Sequence, residues 1–485
     1  MKIKTSIIVL FITLSTSCNL EIDPFDGVTR ENLADVPNAL LYATNGVYSL
    51  MKDRLPYKGR DDFRSSYARN MHQMLEYASD NVTLSGTTTD PLFFAATRQH
   101  FPAMENATYV WYIAYKMINA ANQNIESAEE GSSAANDYLL GENYFMRALA
   151  QFDLLRLFAK PYSHGTDNKG IILRLNSASP DLQARATVGE SYDQVVADLL
   201  KAAQLMANGT SRGNEYASKE AAWALLSRAY LYMENHAKTI EYATLAIESP
   251  NFQLETTANY LELFHNTYTS NESILVMKHL LPDDKGLASI GSMYLTDLIG
   301  WGEVYQSEPL RNLMSQHSQD VRSTLVVPQL ANDGVTVVTR NGIPKYFITK
   351  FSYQDDIITL SSPHVLRLAE MYLNRAEAYA KDGQNQKALD DINVIRTRAG
   401  LSASLYTLAN LQGATTVLGA VLQERRLELA YEGHRAIDLY RNKLSMDRTF
   451  PGVQPSVVVE WNDDRNIYFI PQDELFANKL CEQND

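Results

Sequence analysis

Residues 423–442 read QERRLELAYEGHRAIDLYRN and bring four arginines, four acids and a histidine into twenty positions. Charged side chains at this density serve either acid–base chemistry or the pairing of buried charges. On a helix, Arg426 lies four after Leu422 and three before Leu429, so it shares their apolar face. A buried guanidinium is costly without a carboxylate, and Glu424, Glu428 and Asp438 are the nearby candidates. Gly433 interrupts the helical run, so a second helix is expected to begin at His434-Arg435, at an angle to the first. Catalysis here would need a nucleophile or a metal, and the stretch supplies neither. Its expected role is a structural ion-pair clasp.

No other reactive pattern stands in the context it needs. There is no G-x-x-x-x-G-K-[ST] phosphate loop, no G-x-G-x-x-G after a strand and no H-E-x-x-H, and the G-x-S-x-G match at 209–213 (GTSRG) follows a helical pattern, not the strand that a nucleophile elbow needs. The nine histidines show no metal-ligand spacing, so no metal or cofactor is expected. A pair of carboxylates for glycoside hydrolysis needs geometry rather than spacing, and with 57 acids in the chain such a pair carries no signal.

The chain is 485 residues long and 45% hydrophobic, enough for one large core or two moderate ones. Its 57 acidic and 43 basic residues give a formal charge of −14, which argues against a nucleic-acid partner. At the N-terminus, MKIKTSIIVLFITLSTS joins a basic start (Lys2, Lys4) to an apolar run from Ile7 to Leu14 and a small-residue stretch before Cys18. Residues 1–17 have the anatomy of a signal peptide and are too short to span a bilayer. Without the two lysines, 41 basic residues face 57 acidic ones, a charge of −16. Cys18 and Cys481 are the only cysteines, and in an exported chain a disulfide is the ordinary reading of such a pair. Cys18, however, directly follows the cleavage region as in a bacterial lipobox, with Leu14 one place further upstream than usual. Lipidation of Cys18 is therefore expected, leaving Cys481 a free thiol. Residues 18–27 would form the anchor and an acidic tether stiffened at Pro24.

Beyond residue 30 the dominant pattern is amphipathic helix, with strand-like alternation only in runs such as 334–340 and 345–353. Two segments repeat. In one, Ser227 and Tyr230 are followed by Thr239, Ala243 and Ala246; in the other, Ala376 and Tyr379 are followed by Ala388, Ile392 and Ile395. A small residue three before an aromatic, then a small or β-branched residue nine later, is tetratricopeptide-like: small residues let paired helices approach and the aromatic fills the gap. A third pair is expected over 137–158 and 190–206, separated by a turn-rich insertion. Two long, poorly helical stretches, 79–105 and 281–308, carry bulky aromatics and are expected to be ordered and functional.

The opening stretch and its companions also carry a resemblance. ERRLELAYEGHRAIDLYR (424–441), the run from 366 to 400 ending INVIRTRAG, and YFIPQDELFAN (468–478) resemble the C-terminal signature of the SusD/RagB family of outer-membrane nutrient-binding lipoproteins. WYIAYKMINAANQNIE (111–126), ENYFMRALAQFDLLRLFAKP (142–161), SYDQVVADLLKAA (191–203) and EPLRNLMSQHSQDVR (308–322) are similar to family segments in family order. Glu21, Asp23 and Asp26 behind Cys18 resemble the surface-export signal of Bacteroidetes lipoproteins. The resemblance implies an all-α fold: a superhelical scaffold of tetratricopeptide-like helix pairs, with a loop-rich face and minor β-hairpins, in one domain over 28–485. It further implies a lipid-anchored, non-enzymatic protein of the outer-membrane surface. Such a protein would capture glycan oligomers for a SusC-type TonB-dependent transporter, or peptides in the RagB manner, or would serve only as a lid.

The family motifs mark the scaffold and not the ligand site, so the site must be chosen physically. Sugar rings offer apolar C–H faces and polar edges, matched by exposed aromatics and polar groups. The irregular stretches supply Phe93, Phe94, Tyr294, Trp301 and Tyr305, with Asp80, Arg98 and Glu303 as polar partners. Trp301, between Gly300 and Gly302, is the leading candidate, the glycines letting the indole stand clear of the backbone. Phe93 and Phe94 are expected to divide into one buried and one exposed ring. The charge of −16 favours neutral glycans or oligopeptides over heavily sulfated polymers.

Overall fold

The computed structural model describes residues 37–58, 66–86, 88, 90–180 and 182–484. The signal peptide, Cys18 and the acidic tether lie outside the described residues.

Helices dominate. The first are α1 (Ala39–Lys52), α2 (Tyr67–Glu76), α3 (Leu92–Thr97) and α4 (Glu105–Glu126). Three helix pairs follow: α5 (Ala134–Phe158) with α6 (Val188–Leu205), α7 (Lys219–Tyr232) with α8 (His236–Ile247), and α9 (Leu368–Lys381) with α10 (Asn385–Arg398). The chain then adds α11 (Val417–Glu428) and α12 (Arg435–Arg441). From α4 to α10 each of these helices packs on the next, and α9 also receives α11, which produces the expected superhelical stack.

Local chemistry sets the helix starts. Ser133 and Ser218 accept from the backbone N–H groups of Asn136 and Ala221, and Thr187 and Glu190 form a reciprocal capping box. Small residues allow close approach: Ser227, Thr239, Ala376 and Ala388 are fully buried. Tyr230 stacks on Tyr242 across the second pair, with centroids 5.7 Å apart. One apolar core runs through α1, α2 and α4–α8, and a second joins α9, α10 and α11 around Tyr406.

The strands are short. β1 (Val82–Leu84) pairs antiparallel with β3 (Val304–Gln306), and β2 (Ser273–Val276) with β6 (His364–Arg367). Likewise β4 (Val326–Pro328) pairs with β5 (Tyr346–Ile348). The run 334–340 contributes to a two-residue hairpin, Thr339–Arg340 against Ile343–Pro344.

The charged stretch folds as two helices broken at Gly433, whose φ is +74°. Its pairings differ from the sequence expectation. Arg426 meets none of Glu424, Glu428 or Asp438; it bonds Asn81 and the carboxylate of Asp80, at 3.0 and 3.2 Å. Glu424 instead pairs with Arg322 (2.6 Å) and Arg396 (3.2 Å), and Asp438 with Arg425 and Arg441 (2.7 Å each). Glu428 pairs with Arg367 (2.6 Å) and Arg398 (2.5 Å). Within the stretch only Arg441 keeps a local partner, Asp438, three positions before it on α12; Arg426 is met instead by the segment ahead of β1, which the fold packs against α11. The same region closes the molecule: Gly433 N–H donates to Glu76 (2.8 Å), Tyr468 Oη to the Met74 carbonyl (2.8 Å) and Asn484 to the Phe158 carbonyl (3.0 Å). Cys481 is buried, and burial pushes its thiol up to about 11.

Candidate ligand-binding site

The two irregular stretches come together through the β1–β3 ladder, which places Val82 opposite Gln306, Thr83 opposite Tyr305 and Leu84 opposite Val304. Ahead of β3, residues 281–302 form a chain of tight turns. The backbone N–H of Gly300 donates to Thr296, that of Trp301 to Ser292 and that of Gly302 to Leu295, at 2.7–2.9 Å.

Trp301 is 38% exposed, and its indole N–H donates to the Leu287 carbonyl at 2.8 Å. Around it Leu287 (50%), Leu298 (85%) and Ile299 (37%) also face solvent. With the N–H satisfied by the loop, the indole offers its ring surface on an apolar shelf. Glu303, half-buried beside it, is pushed upward by burial despite a hydrogen bond from Thr88, and exposed Arg340 lies in its electrostatic neighbourhood. Arg340 belongs to a strand-like run that gave no sign of a site; its proximity is set by the fold.

The flanking glycines are required for a reason other than the expected one. A Cβ at Gly300 would lie 2.3 Å from the Ser292 carbonyl oxygen. Gly302 has φ +65°, and its Cβ would meet the Asp297 backbone N at 2.7 Å. The glycines hold the turn shut under the indole. Gly302→Ala adds that clash to a left-handed strain of about 1–2 kcal/mol. The amides of residues 300–302 are then expected to exchange with deuterium at least ~10-fold faster. Unchanged protection would show that the turn tolerates the side chain.

The remaining sequence candidates sit elsewhere in the architecture. Tyr294 and Tyr305 are fully buried, a correction to their expected role as exposed rings. Tyr294 packs within the main core and its hydroxyl lies 2.7 Å from His72 Nε2. Tyr305 donates to the Gly302 carbonyl at 2.9 Å and so supports the turn from below. Their inward facing was not legible in the sequence, because short strands and tight turns carry no periodicity from which facing could be read. Asp80 is also buried; Arg435 binds both its carboxylate oxygens at 2.8 and 3.0 Å. Burial opposes its charge, but Arg435 and Arg426 outweigh that and hold the carboxyl down at about 2. Its guanidinium partners make it an anchor of the loop rather than a group for sugar hydroxyls. Arg98 is likewise buried, donating to the Tyr440 hydroxyl and Asn466. Phe93 and Phe94 do not divide: both are half-buried on α3, and Phe94 meets Phe101 edge to face at 5.1 Å. Of these candidates only Trp301 is exposed, with Glu303 half-buried beside it.

Comparison with known proteins agrees with this architecture. The SusD family model matches residues 318–484, and a second model, described as starch-binding associating with outer membrane, matches residues 35–231. SusD-like protein P2 of Formosa agariphila is 25% identical over 524 aligned residues, covering 100% of this chain and 99% of its own. A SusD superfamily protein from Bacteroides thetaiotaomicron superposes with a TM-score of 0.80 at 26% identity, covering 93% of this chain and 99% of that one. A laminarin-binding SusD-like protein shares the fold at TM-score 0.70 and 20% identity, over 92% and 99% of the two chains. With one SusD-type model matching each half, and SusD-like relatives aligned along the whole length, this chain is similar throughout to proteins of the SusD family.

Proposed function

We propose that this protein is a cell-surface lipoprotein, held to the outer membrane through a lipid on Cys18, that captures glycan oligomers and delivers them to a SusC-type TonB-dependent transporter. In this reading residues 28–485 act as one binding domain and the ligand is released uncleaved. The observation that carries it is the Trp301 indole, exposed on an apolar shelf with its N–H already bonded to Leu287. Such a ring stacks on the C–H face of a sugar, while Glu303 and Arg340 supply partners for hydroxyls. The family description as starch-binding, and the laminarin-binding protein of the same fold, support a glycan as the ligand. The acidic surface favours a neutral one.

The test is a calorimetric screen of the full chain in detergent against starch, laminarin, other neutral plant and fungal glycans, and peptide digests. One glycan class is expected to bind, and Trp301→Ala to weaken it about 10-fold or more, a change of ~1.4 kcal/mol. Glycan binding that survives the substitution would move the site to the 79–105 stretch. Peptide binding without glycan binding would favour the RagB-like reading, and no binding at all would leave a lid. Co-purification of a SusC-type transporter with the native protein tests the delivery step.

A further inference from the structure

Away from the Trp301 shelf, a cavity of about 360 Å³ opens between α1, the loop before α7 and the end of β2. That volume lies within the ~300–1,000 Å³ range of small-molecule sites. Its floor is apolar and closed: Met51, Leu275 and Val276 are each at most 5% exposed. One wall is aromatic. Tyr48 and Tyr216 meet edge to face with centroids 5.2 Å apart, and Arg212 lies 3.6 Å over the Tyr216 ring. Arg212 is itself held by Glu142 (2.8 and 2.5 Å) and by Asn45 (2.9 Å), which fixes the ring it covers.

Two ion pairs border the cavity. Lys52 pairs with Asp283 and Lys278 with Glu215, each at 3.0 Å, and all four side chains are 25–29% exposed. Each is therefore reachable from solvent. Backbone bonds orient the first pair: Lys52 also donates to the Lys278 carbonyl (3.4 Å), and Asp283 accepts from the Leu280 N–H (3.0 Å).

This arrangement selects the chemistry of an occupant. Two ammonium groups and two carboxylates cancel, so a charged ligand would gain a partner only by taking it from an existing pair. A wholly apolar ligand would strip water from four ionic groups without replacing its hydrogen bonds. A neutral polyol does neither. A hydroxyl donates to a carboxylate and accepts from an ammonium, so adjacent hydroxyls bridge an ion pair without breaking it. The tyrosine wall and apolar floor then take the C–H face. The geometry points to a second site, a pocket for a neutral mono- or disaccharide, formed by Tyr48, Tyr216 and the Lys52–Asp283 and Lys278–Glu215 pairs. The pocket shares no lining residue with the Trp301 shelf, so the two sites can be occupied or lost independently.

The test uses the full chain in detergent with saturation-transfer NMR and calorimetry. The probes are glucose, galactose, mannose, xylose and their disaccharides, with glucuronate, glucosamine and glycylglycine as charged comparators. At least one neutral sugar is expected to bind in preference to every charged probe. Ser49→Trp, which fills the cavity from α1, is expected to weaken it at least tenfold. Lys278→Gln with Glu215→Gln removes one ion pair at nearly constant volume and is expected to do the same, so the pocket remains testable if the tryptophan variant does not fold. Trp301→Ala is expected to leave this affinity unchanged while reducing polymer binding, which separates failure of one site from failure of the other. Absence of neutral-sugar binding, preference for a charged probe, or affinity unchanged in both pocket variants would overturn the proposal.

Discussion

Arg367→Met is expected to lower folding stability by about 3–5 kcal/mol, the cost of leaving buried carboxylates without their counter-ion. Arg367 is 1% exposed and holds three of them: Glu272 (3.0 Å), Glu428 (2.6 Å) and Glu432 (2.8 Å). It also donates to the Glu428 carbonyl at 2.7 Å. These groups belong to a connected set in which Arg322, Arg367, Arg396, Arg398 and Lys350 face Asp320, Glu272, Glu424, Glu428 and Glu432, each side chain no more than 10% exposed. Five positive and five negative groups balance, and methionine keeps much of the volume while removing one charge. A shift in urea midpoint at unchanged slope reads the loss. Adding Glu432→Leu restores neutrality, and part of the stability is expected to return. A loss below about 1 kcal/mol for the single substitution would mean that the carboxylates find water, and that the set is not sealed as described.

Acidification is expected to destabilise the protein from about pH 6.5 downward, well before ordinary carboxylate titration. Burial pushes His72, His100 and His364 down to about 3, and His434 well below its usual value. A histidine whose folded pKa is lowered contributes stability above its unfolded pKa and loses it as pH falls toward the folded one. Each such ring adds a slope of about 1.4 kcal/mol per pH unit between 6.5 and 3. Glu76 acts in the opposite direction. Burial raises it to about 7 against the bonds from Asn81 and Gly433, so protonation stabilises the fold as pH falls from 7 to its unfolded value near 4.5. Glu142, Asp153, Asp198, Glu303 and Asp391, also raised by burial, act in the same direction as Glu76. His164, His265, His279 and His317, also lowered by burial, add to the loss, and the histidine losses begin at pH 6.5, above the ordinary carboxylate range. Below pH 4, Asp80, held down at about 2, adds a further loss of about 2 kcal/mol. Urea midpoints measured from pH 7.5 to 4 give the net slope. His72 is ringed by Tyr77, Tyr294 and Phe351 at 4.8–5.9 Å, so His72→Phe keeps an aromatic ring there while giving up the bond to the Tyr294 hydroxyl, and is expected to lower stability at every pH and to remove one proton's share of the slope. An unaltered slope would show that His72 takes up its proton in the folded state.

The helical scaffold was legible in the sequence because its determinants are local. Ser227 and Ala376, three positions before Tyr230 and Tyr379, mark close helix contacts, and the 3.6-residue pattern carries the rest. Pairings across the chain were not legible. Arg426 finds Asp80 346 residues earlier, a partner that helical spacing cannot reveal. The loop aromatics show the same limit. Trp301, Tyr294 and Tyr305 have similar sequence surroundings, yet only the indole reaches solvent, because three backbone bonds and the Tyr305 hydroxyl fix the turn around it. The saccharide pocket left no linear trace, since α1, the loop at Glu215 and Tyr216, and β2 lie far apart in the chain.

The closure of the molecule by its final residues has a consequence for the order in which it can be made. Asp80 has both its arginines in α11 and α12, Glu76 is bonded by Gly433, and the Phe158 and Met74 carbonyls are met by Asn484 and Tyr468. A ribosome adding ~5–20 residues per second therefore releases α2 and the first loop long before their partners exist. The early helices can form, but their buried polar groups stay unmatched until the last sixty residues arrive. A nascent chain of this design remains unfinished for as long as its tail is being synthesised. Loss of even a short C-terminal piece would strand groups at the opposite end of the polypeptide, so that truncated products fail as a whole rather than folding up to the point of truncation.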